Sequence, residues 1–221
     1  VAAGLEDTTG GVLAEDYVWS FATALPIVVS TAPADAEMLV APTRVISITF
    51  SEFMDHPAVE ERFTLVEKGG AAIQGAFRWD GKTMAFVPST LLPLETSYVA
   101  TLEAGAKAAK GEGRITEPYS WRFTTVPYPR IVETRPADGD LKAEPYGGMN
   151  VIFAGPMDPT TIMPNTAIIP EPTEVYTYWS EYDNIFFISF GVQPTTSYTF
   201  TFGAKIADPY GNTLGQDQVL R

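Results

Sequence analysis

The sequence predicts an all-β chain folded as sandwiches in tandem. Three observations lead there. Large apolar side chains recur with a period of two, as on a strand that buries one face. Proline and glycine, 18 of each, cut the 221 residues into short runs. The chain also repeats itself at intervals of about a hundred residues, which marks structural units in series.

The repeat fixes the order of elements. YVWSFATALPIVVSTAPAD, from Tyr17 to Asp35, recurs as YSWRFTTVPYPRIVETRPAD, from Tyr119 to Asp138. ISITFSEFMD (Ile46 to Asp55) recurs as MNVIFAGPMD (Met149 to Asp158), and TSY at Thr96 to Tyr98 recurs at Thr196 to Tyr198. Trp79 and Trp179 share the last spacing. Spacings that drift by a few residues are what loop insertions leave between homologous units. Residues 1–25 then read as the closing strand or strands of a preceding unit, 26–126 as a complete unit, and 127–221 as a unit lacking most of its closing strand. The chain opens at Val1 and reads as a fragment of a longer protein.

Each element has its own signal. Ile46, Ile48 and Phe50 alternate with Ser47 and Thr49, as Met149, Val151 and Phe153 alternate with Asn150 and Ile152. Tyr198, Phe200 and Phe202 form a later face, and Tyr119, Trp121 and Phe123 a closing one. PMDP at Pro156 to Pro159 opens one short helical turn, with Asp158 as cap and Pro159 in first position. No amphipathic helix of ten or more residues appears. PLETSY (Pro93 to Tyr98) and PTTSY (Pro194 to Tyr198) set a tyrosine at the head of a late strand. That is the place of a tyrosine corner, whose hydroxyl bonds to upstream backbone. About seven antiparallel strands per hundred residues make an immunoglobulin-like Greek-key β-sandwich.

Composition excludes several functions. A formal charge of −13 and a pI near 4.4 offer no cationic face for nucleic acid. No apolar run has the length of a membrane span. With no cysteine there is no disulfide framework, thiol nucleophile or thiolate metal site. The sequence therefore predicts no enzyme and no catalytic, cofactor or metal residues. His56 is the single histidine and has Asp55 and Pro57 beside it. Ser51 lacks a nucleophile-elbow G-x-S-x-G, and the adjacent Glu60 and Glu61 point apart on any regular element. Calcium is the one cofactor the acidic turns invite, at Glu6-Asp7, Asp35, Asp138, Asp140, Asp158, Asp208 and Asp217. The same residues favour turns because they bond their own backbone, which is the stronger reading. Trp19 and Trp121 alternate with other large residues and read as core. Trp79 and Trp179 flank turns and are the places where a sugar platform could lie.

PADG at Pro136 to Gly139, FSEFMD and FAGPMD, the proline–threonine–tyrosine turn, ADPYGNTL at Ala207 to Leu214 and YSWRFTT at Tyr119 to Thr125 together resemble the bacterial Ig-like domain of the S-layer protein type. The resemblance covers nearly the whole chain. PADA at Pro33 to Ala36 lacks the glycine, and AKGEG at 109–113 stands in place of D-x-x-G-N. The resemblance implies a non-catalytic structural or spacer region of an exported bacterial surface protein, extracellular or at the cell surface. Its partners would be neighbouring Ig-like domains of the same chain, with other surface proteins or proteases met through the parent. Similar tandem units lead bacterial α2-macroglobulin-like protease inhibitors, whose thioester needs a cysteine this chain does not have. A carbohydrate- or calcium-binding adhesin module is the third alternative. The seams ALP (Ala24 to Pro26) and VPYP (Val126 to Pro129) are short and stiffened by proline.

Overall fold

The computed structural model describes residues 1–21, 24–143 and 148–221. Two sandwiches follow one another. In the middle unit one sheet has the order β1 (Val28–Ala32), β3 (Ile46–Phe50), β6 (Thr83–Pro88), β5 (Gly75–Asp80). The facing sheet has the order β2 (Glu37–Val40), β8 (Tyr119–Thr125), β7 (Ser97–Leu102), β4 (Phe63–Glu67). Every pairing is antiparallel except one: β2 runs parallel to β8, with Glu37 opposite Phe123 and Val40 opposite Thr125.

The third unit repeats this plan. β9 (Ile131–Arg135), β10 (Met149–Phe153), β13 (Ile185–Gly191) and β12 (Thr173–Ser180) form one sheet. β11 (Thr166–Ile169), β14 (Thr199–Phe202) and β15 (Gln218–Leu220) form the other. β15 is three residues long where β8 has seven. Leu220 faces Phe200 as Trp121 faces Ala100.

The alternation seen in the sequence is the burial pattern. Ile46, Ile48 and Phe50 point into one core, and Met149, Val151 and Phe153 into the other. Phe63, Leu65, Met84, Trp121 and Phe123 close the first core. Phe186, Ile188, Phe200 and Phe202 close the second. Among the described residues, helical structure is confined to α1 (His56–Glu60), α2 (Pro159–Ile162) and a 3-10 turn, Met163–Asn165. Asp158 caps α2 as expected, its carboxylate accepting from Thr160 N at 3.0 Å, and Asp55 caps α1 from Ala58 N at 3.0 Å. Val59 and Ile162, one on each helix, drop into the cores, so each turn plugs one end of its sandwich.

Two readings of the sequence need correction. Trp19 does not lie in a core: it is 65% exposed, and Tyr17, Val18 and Phe21 are exposed beside it. Among the described residues, 15–21 pair with no strand, and alternation without a neighbouring sheet buries nothing. Ala22 and Thr23, the end of the repeated closing pattern, lie outside the described residues. The tyrosine corner forms in one unit only. Tyr198 accepts a hydrogen bond from Gln193 N at 3.0 Å. Tyr98 instead stacks on Phe123, with ring centroids 5.4 Å apart, and its buried hydroxyl finds no hydrogen-bond partner. There the corner is held by buried Thr125, which donates to Pro93 O at 2.7 Å and accepts from Thr96 N at 3.1 Å.

Candidate functional site

The residues with chemical potential gather at one end of the middle unit, in a packing arrangement. The His56 ring lies flat on Trp79, 4.0 Å between centroids and 3° between planes. Phe50 stacks on Trp79 at 6.3 Å. The indole N–H of Trp79 donates to Glu60 Oε1 at 2.8 Å. Trp79 is therefore a half-buried clasp between β5 and α1, with the face a sugar would need covered by imidazole. Ser51 accepts from Ile27 N at 3.0 Å, and its carbonyl accepts from Lys82 Nζ. Among the described residues no hydrogen bond joins His56 to Ser51 or to a carboxylate, so nothing here is set up as nucleophile and base. Glu61 pairs with its neighbour Arg62 at 3.6 Å and stays in solvent. Trp179 tilts against Phe153 at 6.2 Å and packs on the second core.

The acidic turns are occupied by backbone. Asp7 accepts from Thr9 N, Thr9 Oγ1 and Gly11 N within 2.9 Å. The Thr9 hydroxyl first, then these amides, hold its carboxyl below the usual aspartate value. Asp208 is buried and accepts from Tyr210 N, Asn212 N and Asn212 Nδ2 within 2.9 Å. Asp140 accepts from Lys142 N at 2.8 Å, and Asp217 from Ala204 N at 2.8 Å. Among the described residues no group of three or more acidic or histidine side chains converges on one point.

The seam is where geometry accumulates. Asp35 accepts from Arg122 N at 3.0 Å, and Ala36 N donates to Arg122 O at 2.8 Å. Asp138 and Gly139 make the same two bonds to Arg221. The Pro-Ala-Asp turn thus clamps the opening of each unit to its own closing strand. Gly139 has φ +77°, and Ala36 sits in the same left-handed region at +62° without a glycine's freedom. Buried Val126 donates to Val40 O at 3.0 Å and accepts from Glu95 N at 2.9 Å, so the link leaves the middle unit already tied to it. Arg130 reaches back to Glu95 with both guanidinium nitrogens, at 2.9 and 3.3 Å. A side chain at Gly155 would meet Pro127 Cδ at 3.0 Å, with Leu39 next at 3.9 Å.

The Bacterial Ig-like domain family model matches residues 22–125 and again 127–221. The chain belongs to the bacterial Ig-like domain family. The two matches meet at the seam just described. Among solved structures, this Ig-like pair is similar to the N-terminal part of the bacterial S-layer protein SbsC, at 15% identity over 89% of this chain and 44% of that one, TM-score 0.37. It is similar to the L,D-transpeptidase LdtMt1 in complex with imipenem at 15% identity over 71% of this chain and 62% of that one, TM-score 0.34. It is similar to Mycobacterium tuberculosis L,D-transpeptidase 1 at 15% identity over 86% and 80%, TM-score 0.32. The chain thus spans less than two thirds of the first two. No curated protein matches it. No helix among the described residues is long and apolar enough to cross a membrane.

The repeated motifs were visible in sequence, but the Glu95–Arg130 pair was not. Its partners are 35 residues apart, in a corner and a linker, and neither position carries a pattern.

Proposed function

We propose that this chain is a non-catalytic spacer: bacterial Ig-like units from an exported, extracellular or cell-surface protein, held end to end. The domain division at 1–25, 26–126 and 127–221 is part of the proposal, with the first segment belonging to a preceding unit. The observation that carries it is the seam. A spacer needs defined direction between units more than it needs a pocket. Here Val126 is anchored inside the middle unit, Pro127 and Pro129 restrict the link, and Arg130 grips Glu95 with two bonds. Its partners are the neighbouring units of its own chain, and through the parent protein other surface proteins.

Small-angle scattering tests this directly. An end-to-end pair has a radius of gyration well above the roughly 17 Å of a single globule of this length. Replacing Pro127 and Pro129 by glycine should broaden the distance distribution. A compact radius for the unaltered protein, or one indifferent to the double substitution, would refute the spacer reading.

A further inference from the structure

The two units are built on one plan, so a surface on which they differ is not explained by the fold. In the middle unit the outward positions of β5 hold Ala76, Arg78 and Asp80, paired with Val87, Ala85 and Thr83 of β6. In the third unit the equivalent ladder holds Tyr176, Tyr178 and Ser180, paired with Ser189, Phe187 and Ile185. The turn also differs. Gly81-Lys82 becomes Glu181-Tyr182-Asp183-Asn184, two residues longer and acidic instead of basic.

Three tyrosines therefore stand in solvent on one edge: Tyr176 is 70% exposed, Tyr178 67% and Tyr182 96%. β12 ends its sheet and, at eight residues, is the longest strand described. Among the described residues, one side of its backbone ladder has no neighbouring strand. Soluble sheets ordinarily guard such an edge with lysine, proline or a bulge. An irregularity between Thr173 and Tyr176, with Glu174 at φ +53°, interrupts only the start of the strand, and Tyr176 to Ser180 pair in regular register. Here the sequence has neither lysine nor arginine from Ala143 to Ala204. Exposed Glu171, Glu181 and Asp183 flank the strand instead, and exposed Glu174 lies within it. On the other phase of the strand, Val175 lines a shallow groove with Ile168 and Ile169 from β11.

We propose that β12 is a docking edge for an extended, lysine- or arginine-rich segment of a partner protein, which adds to the sheet as a fifth strand. The partner's backbone pairs with the free ladder of β12. Its cationic side chains, at every second position, lie over the tyrosine rings and reach the flanking carboxylates. Its intervening apolar side chains enter the Val175–Ile169 groove. Charge chooses the occupant: an edge of four carboxylates with no cation repels an acidic strand, including most of this chain's own. The middle unit, with Arg78 and Lys82 at the matching places, does not offer the same edge.

The test uses the whole chain and a ten-residue peptide with lysine at odd positions and valine or threonine between. A glutamate version of the peptide and a hexameric glucan are run beside it in calorimetric titration. The lysine peptide should bind and should weaken at least tenfold between 0.05 and 0.5 M salt. It should slow amide exchange across residues 173–180. Tyr176→Ser with Tyr178→Ser should weaken binding about tenfold, and so should Glu174→Gln with Glu181→Gln. These side chains are exposed, so melting of the third unit should match the unaltered protein and separate lost binding from lost folding. The proposal is overturned by no binding of the lysine peptide, by equal binding of the glutamate peptide, by preference for the glucan, by exchange protection on another strand, or by both double variants binding as the unaltered chain does.

Discussion

Removing the indole of Trp121 should unfold the middle unit at a much lower temperature. The side chain is 2% exposed, with ring centroids 6.3 Å from Phe63 and 5.9 Å from Tyr119, and it faces Ala100 on the neighbouring strand. Truncating a large core aromatic to alanine costs roughly 3–5 kcal/mol. One term acts the other way. The indole N–H is buried without a partner, and deleting such a group relieves roughly 1–3 kcal/mol. Trp121→Ala should therefore destabilise by about 2 kcal/mol, the difference of the two mid-range values. For a domain of about a hundred residues that is a fall in Tm of roughly 8–16 °C. Trp121→Phe separates the two terms. It keeps a ring against Phe63 and discards the orphan donor, so it should stay within about 1 kcal/mol of the original. Differential scanning calorimetry resolves the middle unit's transition without relying on tryptophan emission. A loss below about 1 kcal/mol for alanine would show that the ring does not fill the core. A loss for phenylalanine as large as for alanine would show that the N–H has a partner after all.

Three further outcomes follow from the same structure. Ala36→Gly relieves a left-handed φ of +62° and should stabilise the middle unit by about 1 kcal/mol, while Gly139→Ala costs the third unit a similar amount; melts with the opposite signs would refute the shared turn geometry. Asp208→Ala leaves two backbone amides of a half-exposed loop without their acceptor and should destabilise the third unit by roughly 1 kcal/mol, whereas Asp140→Ala at an exposed turn should change little; equal effects in chemical denaturation would show the loop is not pinned by the carboxylate. Burial, with Glu67 adding to it, pushes the Tyr98 hydroxyl from 10.0 up to about 12. Folding thus favours the neutral phenol, so this contribution to stability is full below about pH 10 and is lost as pH rises from about 10 to 12; denaturation curves of Tyr98→Phe that fall as steeply over that window as the original would count against it.

Much of this was legible in sequence because strand faces and turns are local. Ile46, Ile48 and Phe50 declare their face by spacing alone, and Asp158-Pro159 declares a helix start by chemistry alone. Trp19 failed because burial depends on a second strand, and the side chains of residues 17–21 are the same whether or not one is there. The tyrosine corner failed in the middle unit because the decision lay with Thr125, 27 residues away on another strand. The acidic turns read in two ways from sequence, and the turn bonds of Asp7 and Asp208, each to amides of its own loop, lie among residues whose pattern gives no sign of them. The tyrosine edge escaped notice for a related reason. Tyr176 and Tyr178 have the same alternation as core residues, and only the pairing with β13 tells which phase faces outward.

The one parallel pairing in the middle unit bears on how it answers tension. A pull along the chain enters near Pro26 and leaves near Val126. β1 takes the load first, through its antiparallel pairing with β3; the pull then reaches β2, which lies beside β8 and points the same way, and slides one strand lengthwise past the other. The Glu37–Phe123 and Val40–Thr125 contacts, the Asp35 clamp on Arg122 and the Val126 bond to Val40 all resist at once, where strands peeled from one end would part bond by bond. Forced opening follows the unfolding rate and not the equilibrium stability. A unit of ordinary stability joined in this way should yield late under load.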